Sequence, residues 1–249
     1  MSTTPESAAV GSHGTATATT SGPAAAAAEA SYSQQLWAAI EPIYQAILEH
    51  PFITGLVDGT LPREAFRHYV VQDSHYLRDY ARALTLCAAK APSEEDVRGF
   101  AGDAIGAIAA EQQMHAEFMS DLGGSAEQAA ELPVAPTTRA YTSYLLATVY
   151  GGSFLDGLAA VLPCYWIYAR VGEELLPKSS PDPLYRRWIA TYGDESFQSV
   201  VRRVVALTDQ VGAEASAAHR ATAQRHFVTT SRYEWMFWDA AWRRETWPI

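Results

Sequence analysis

Residues 140–169 read AYTSYLLATVYGGSFLDGLAAVLPCYWIYA, and their only formal charge is Asp156. A stretch this apolar is either a membrane span or a pair of helices buried on nearly every side. Gly151-Gly152, Asp156 and Pro163 cut it into pieces shorter than the ~20 consecutive apolar residues that a bilayer crossing requires. Tyr141, Tyr144, Tyr150, Tyr165 and Tyr168 are spread along it, which is out of keeping with bilayer depth. The stretch therefore reads as two central helices of a helical domain, and a pocket between helices would be walled by them.

Helical periodicity continues on both sides. SQQLWAAIEPIYQAILEHP (33–51) sets Trp37, Ile40, Tyr44, Ile47 and Leu48 on one stripe and is expected to end at Pro51. Pro62 suits the first turn of a second helix, which carries Phe66, Tyr69, Tyr76, Tyr80 and Leu84 as far as Ala91-Pro92. Ser93 followed by acids opens a third, because the positive end of a helix favours carboxylates, and it runs to about Leu122 before Gly123-Gly124. Pro136 starts a fourth, and a fifth spans about Phe154 to Leu176. After Pro181 and Pro183, two or three more helices reach the C-terminus. No stretch alternates with period two, and there is no Asn-Gly hairpin signal. The expected class is all-α, a single-domain helical bundle over residues 32–249.

Residues 1–31 are different: almost all Ala, Thr, Ser and Gly, with no large apolar residue beyond Val10. Such a segment cannot bury enough surface to offset its ordering entropy, so a disordered tail is expected. The first Lys or Arg of the chain is Arg63, so the tail has neither the basic start of a secretory signal nor the arginines of a transit peptide. The net charge is −10 and the lysines are Lys90 and Lys178 alone, with no basic cluster. Nucleic acid and anionic membrane surfaces are thereby disfavoured as partners. Cys87 and Cys164 do not make a disulfide framework, which favours a reducing compartment; the expected location is the cytoplasm.

Three places could carry chemistry. Cys164 follows Pro163 in LPCYWIY and shares a helical face with Tyr168, four residues on. Pro163 lacks an N–H and would leave backbone groups free near the sulfur, yet a free cysteine is also common as a small buried hydrophobe. Asp73 lies mid-helix in YVVQDSHYLRDYARAL with Tyr69, Tyr76 and Tyr80 on its face. Such a carboxylate must be solvated, paired or used. Glu234 lies in SRYEWMFWDAAW, the most aromatic stretch, where it is either a surface acid or a carboxylate whose pKa burial raises to suit proton transfer. Cys87, in ALTLCAAKA, has no polar neighbour on its face and reads as filler. Glu64/His68 and Glu111/His115 are four-residue pairs, whereas helical di-iron sites use Glu-x-x-His; no Cys-x-x-Cys or His-Glu-x-x-His occurs. No metal site is expected.

Taken in order, QDSHYL (72–77), ARAL (81–84), Glu111-x-x-x-His115, PTTRAYTSYL (136–145), LPCYWIYARVG (162–172), WIATYGDESF (188–197) and RYEWMFWDAAW (232–242) resemble the TenA family, also called thiaminase II. The resemblance covers roughly residues 33–246. It implies a haem-oxygenase-like fold, usually a homotetramer, and no metal or organic cofactor. It also implies hydrolysis at the C5 methylene of 4-amino-2-methylpyrimidines: the aminomethyl compound gives hydroxymethylpyrimidine and ammonia, and thiamine loses its thiazole. By motif, Cys164 matches the nucleophile and Glu234 the proton-handling carboxylate. Asp73 matches the acid that binds the aminopyrimidine edge, Tyr76 and Tyr141 match aromatics against the ring, and Tyr168 and Tyr192 match hydroxyls near the sulfur and reacting carbon.

Ser74 and His75 depart from the family pattern, which often has a larger residue beside the Asp. Another branch of the family uses a glutamate in place of the cysteine; this chain, with Cys164, resembles the cysteine branch. A cofactor-free oxidase of the quinone-cofactor maturation type would share the fold, but would be expected to surround an acidic substrate with histidine and arginine. A non-catalytic pyrimidine-binding regulator is the other alternative.

Overall fold

The computed structural model describes residues 30–125 and 131–249; the side chains of residues 110, 111 and 113–116 fall outside that description, and with them the Glu111/His115 pair. The expected disordered tail likewise lies outside the described residues, except that Ser31 caps the first helix. Among the described residues there is no strand. The helices are α1 (Tyr32–Leu48), α2 (Pro51–Asp58), α3 (Arg63–Lys90), α4 (Glu94–Asp121), α5 (Pro136–Gly151), α6 (Phe154–Leu175), α7 (Pro183–Gly193), α8 (Glu195–Glu214) and α9 (Ala217–Arg243).

Helix α6 is the centre. Ser153 begins it with a capping box: its hydroxyl accepts from the Asp156 N–H at 3.2 Å, and the Asp156 carboxylate accepts from the Ser153 N–H at 2.9 Å. The single charge in the apolar stretch thus serves the helix start. Beyond it, Leu158 to Leu162 are completely buried, and α6 packs against α3, α5, α7, α8 and α9. An all-round apolar helix needs such neighbours, because each face left to water would forfeit ~25 cal/mol per Å². No described helix is long and apolar enough to cross a membrane.

One helix departs from expectation. Pro51 was expected to end the first helix, and α1 does stop just before it, but Pro51 also opens α2 as its first residue. His50 acts as N-cap, its Nδ1 accepting from the Phe52 N–H at 3.1 Å, and Gly59 closes the helix at φ +73°. A proline is tolerated at a helix start because its missing N–H would be unpaired there in any case. On α1 the deepest face is Leu36, Ile40, Tyr44 and Ile47, with Trp37 and Leu48 only half-buried.

The helices around α6 are locked by close approaches. At Gly172 an added Cβ would lie 2.4 Å from the carbonyl group of Tyr192, so α6 and α7 meet backbone to backbone. Gln198 fastens the same corner, donating at 3.0 Å to the carbonyls of both Ala169 and Tyr192. Gly172→Ala is expected to destabilise the fold by about 1–3 kcal/mol through overpacking, and to lower activity further than thermal unfolding explains by moving Tyr192. Thermal denaturation alongside a turnover assay at a temperature where both proteins remain folded checks this; an unchanged melting temperature would refute it.

Candidate active site

Cys164 and Tyr168 lie one turn apart on α6 and open on a cavity of about 710 Å³. Asp73 reaches the same cavity from α3 and Tyr192 from the end of α7. Asp73 is only 4% exposed although it sits mid-helix, so its carboxylate belongs to the interior and not to a solvated edge. Pro163 lacks the N–H that would bond to the Ala159 carbonyl, one turn before the cysteine. The Tyr80 hydroxyl donates at 3.0 Å to the Val161 carbonyl and joins α3 to α6 beside the sulfur.

Tyr76, Tyr141 and Glu234 do not lie on the open wall of the cavity; they form a buried layer next to Cys164. Glu234 on α9 is 1% exposed, and its Oε1 accepts from the Tyr141 hydroxyl at 2.6 Å. Burial pushes this carboxyl up to about 8; the Tyr141 hydrogen bond opposes the rise and the Asp73 charge adds to it. The Cys164 thiol is also held well above its ordinary value, first by burial and then by Glu234. The hydroxyls of Tyr76 and Tyr80 act against that rise, while Asp73 adds to it. Glu234 thus penalises negative charge on the sulfur, and Asp73 penalises it on both groups, so at neutral pH each prefers to keep its proton.

The phenols are all neutral donors. Burial pushes Tyr76, Tyr141, Tyr168 and Tyr192 well above the usual tyrosine range, helped next by Cys164 for Tyr76, Glu234 for Tyr141, Tyr69 for Tyr168 and Asp73 for Tyr192. Tyr141 stacks on Tyr233 with ring centres 5.2 Å apart and meets Tyr76 at 4.9 Å. Tyr168 and Tyr192 approach to 4.8 Å, and the Tyr69 hydroxyl donates to that of Tyr168 at 3.3 Å. The buried Tyr76 Oη makes no hydrogen bond of ordinary geometry and is shared between the Cys164 sulfur and the Tyr141 hydroxyl, both of which it approaches.

All seven residues singled out from the sequence therefore gather in one region, four on the cavity wall and three behind it. Ser74 and His75 do not line the cavity; Ser74 accepts from Arg78 at 3.2 Å, and His75 Nε2 lies 2.9 Å from the Leu132 carbonyl oxygen. Sequence reasoning assigned no role to Tyr69 or Tyr80, although their spacing from Asp73 puts them on its face. It also missed the α4 wall, where Asp103 accepts from Tyr165 at 2.7 Å and from Arg203 at 2.5 Å. Two glycines four apart in α4 were the available signal. Among the described residues no three His, Cys, Asp or Glu side chains are grouped to hold a metal ion.

The family profile described as TENA/THI-4/PQQC matches residues 37–244. The chain belongs to that family. It is 37% identical over 216 residues to the aminopyrimidine aminohydrolase of Bacillus subtilis (strain 168), covering 87% of this chain and 92% of that one. Its structure resembles a TenA homologue from P. horikoshii OT3 with a TM-score of 0.80 and 31% identity, over 86% of this chain and 99% of the other. A Shewanella denitrificans OS217 domain with a haem-oxygenase-like fold superposes with a TM-score of 0.68 over 84% of this chain and 91% of that one; at 14% identity it bears on the fold alone. The all-α, haem-oxygenase-like class of this TENA/THI-4/PQQC protein follows from the helices and these neighbours together.

Proposed function

We propose that the chain is a cofactor-free hydrolase of thiamine salvage. It acts at the C5 methylene of 4-amino-2-methylpyrimidines, converting the aminomethyl compound to hydroxymethylpyrimidine and ammonia, with thiamine as a second substrate that loses its thiazole. It would work in the cytoplasm as a homotetramer. The observation that carries this reading is the arrangement around Cys164: its thiol and the Asp73 carboxylate open on one cavity, and Glu234, titrating at about 8, is buried beside the thiol.

The chemistry that these groups support is balanced. Asp73 accepts hydrogen bonds from the 4-amino edge of the ring, and buried phenols flank it. The Cys164 thiol passes its proton to the Glu234 carboxylate while sulfur adds to the electron-poor ring carbon next to C5. The electron pair gained by the ring then expels the amine from the methylene, and Glu234 returns the proton to it, so ammonia leaves. Water adds its oxygen to the exposed methylene and gives a proton to the vacated Glu234 carboxylate; the carbon–sulfur bond then breaks and that proton restores the Cys164 thiol. A carboxyl titrating near 8 suits both halves of that transfer at neutral pH. Neutral tyrosine hydroxyls at Tyr168 and Tyr192 can orient the leaving nitrogen and the incoming water without competing for the proton.

The test follows ammonia and hydroxymethylpyrimidine from 4-amino-5-aminomethyl-2-methylpyrimidine, with thiamine in parallel. Equimolar products are expected, and Asp73→Asn should raise KM by about tenfold or more, since one hydrogen bond to a charged group is worth ~1.5–3 kcal/mol. Tight binding without turnover would instead make the chain a pyrimidine-binding protein. An unchanged KM in the variant would remove Asp73 from the ring edge.

A further inference from the structure

Tyr69 is a phenol in a place where packing alone calls for phenylalanine. It stands one turn before Asp73 on α3, is 1% exposed and does not line the cavity. Its ring lies nearly parallel to that of Trp238, 5° apart in plane and 5.1 Å between centres. Phe52 at 5.4 Å, Phe237 at 5.8 Å and Trp188 at 5.9 Å close the box around it. A ring held on so many sides has no room to swing, so its hydroxyl sits at one fixed point. Taking that hydroxyl out of water costs free energy that only a hydrogen bond offsets.

The partner of that hydroxyl belongs to the site. Tyr69 donates at 3.3 Å to the Tyr168 oxygen, and the Tyr192 hydroxyl also approaches it. Other buried phenols of this core tie down backbone: Tyr185 donates to the Leu61 carbonyl at 2.7 Å, and Tyr80 to that of Val161 at 3.0 Å. Tyr69 fastens no backbone group in this way. Its bond is also long beside the ~2.7–2.8 Å usual for hydroxyls, as bonds at an unliganded site often are before substrate tightens them. The consequence is directional. A phenol oxygen that accepts from one side carries its own proton on the other, so with Tyr69 behind it Tyr168 is left to donate into the cavity. Burial first, then the Asp73 charge, holds Tyr69 well above the usual tyrosine range, so its proton stays in place at neutral pH.

We propose that Tyr69 is a positioning residue: donating to the Tyr168 oxygen from behind, it turns the Tyr168 proton toward the reacting group in the cavity. The inference rests on the hydrolase reading above and deepens it by adding a residue that no substrate touches. No bond is made or broken at Tyr69, and it neither takes nor gives up a proton during turnover. Its effect is to keep the Tyr168 hydroxyl from spending part of its time turned away from the leaving nitrogen and the incoming water.

The experiment measures kcat and KM for ammonia release from 4-amino-5-aminomethyl-2-methylpyrimidine in Tyr69→Phe. Phenylalanine fits the same aromatic box, so the variant should fold, and circular dichroism verifies it. Its kcat should fall by about tenfold to a hundredfold while KM stays within about threefold, because the ring edge at Asp73 is untouched. Tyr185→Phe is the control for losing a buried hydroxyl: it should lower the melting temperature and leave kcat within about twofold. A merely structural role for Tyr69 would give that same pattern. A double-mutant cycle with Tyr168→Phe supplies the second readout: once the Tyr168 hydroxyl is gone, removing that of Tyr69 should cost less than about a further threefold. The full penalty in that background overturns the positioning role. So does an active wild type whose kcat survives Tyr69→Phe, and in either case the hydrolase reading stands. A wild type that does not turn over the pyrimidine overturns the hydrolase reading and the positioning role with it.

Discussion

Cys164→Ser is expected to lower kcat for ammonia release by about three orders of magnitude or more, with KM little changed, since loss of a nucleophile removes an interaction made only along the reaction path. Serine keeps the shape of the side chain but replaces a polarisable sulfur with an alcohol of far higher pKa. Glu234, titrating at about 8, can take a proton from a thiol but is a poor match for an alcohol. The fold should tolerate the change, because Cys164 is half-buried and opens on the cavity instead of filling the core. Cys87 is the natural control: 2% exposed, with burial pushing its thiol up to about 12, it has no path to a substrate. Cys87→Ala should lose some stability while kcat stays within about threefold. Steady-state kinetics with circular dichroism decides the matter, and a Cys164→Ser enzyme retaining a tenth of wild-type kcat would end the nucleophile assignment.

The fold was legible because its signals are local and repeated. Pro136 and Pro183 stand at first helical positions, Ser93 and Ser153 cap helices through their hydroxyls, and glycines or prolines punctuate nearly every boundary. The stretch at 140–169 resolved through its Gly151-Gly152 break, Asp156 and its tyrosines; it becomes α5 and most of α6, a 22-residue helix that continues through Pro163 and carries Arg170, Glu173 and Glu174 in its last turns. α2 was lost because its N-cap is a histidine, outside the usual Ser/Thr/Asp/Asn set, and because Pro51 signals the end of one helix and the start of another equally well.

The site was legible to a different depth. Period alone placed Asp73 with Tyr69, Tyr76 and Tyr80, and Cys164 with Tyr168, but it left burial open, and burial decides between a surface acid and a reactive one. Joining α3, α6, α7 and α9 required the ordered motifs of the family, because no local rule says that Glu234 approaches a sulfur seventy positions earlier. Those motifs carried reacting groups and not empty space.

Glu234→Gln should separate function from stability in opposite directions. The amide can still accept from Tyr141 at the Oε1 position and has nearly the same volume, so the buried layer should persist. It cannot take the thiol proton, and kcat should fall by about two to four orders of magnitude. Stability should move the other way. The folded carboxyl titrates at about 8 against an ordinary value of 4.5, so between those two pH values the folded chain holds a proton that the unfolded chain has released. Stability from this group is therefore greatest below pH 4.5, declines by about 1.4 kcal/mol per pH unit as pH rises through the window, and is fully lost above about 8. Glutamine has nothing to titrate. Melting temperatures taken at pH 6 and pH 8 should fall more for the wild type than for the variant, and the variant should be the more stable protein at pH 8. The pH profile of kcat/KM gives an independent reading: the wild type should rise with a midpoint near pH 8, toward a plateau above about pH 9, as the carboxylate forms, and the residual activity of the variant should lack that limb. Equal pH dependence of melting in the two proteins would show that Glu234 is already ionised in the folded state and could not carry the proton as described.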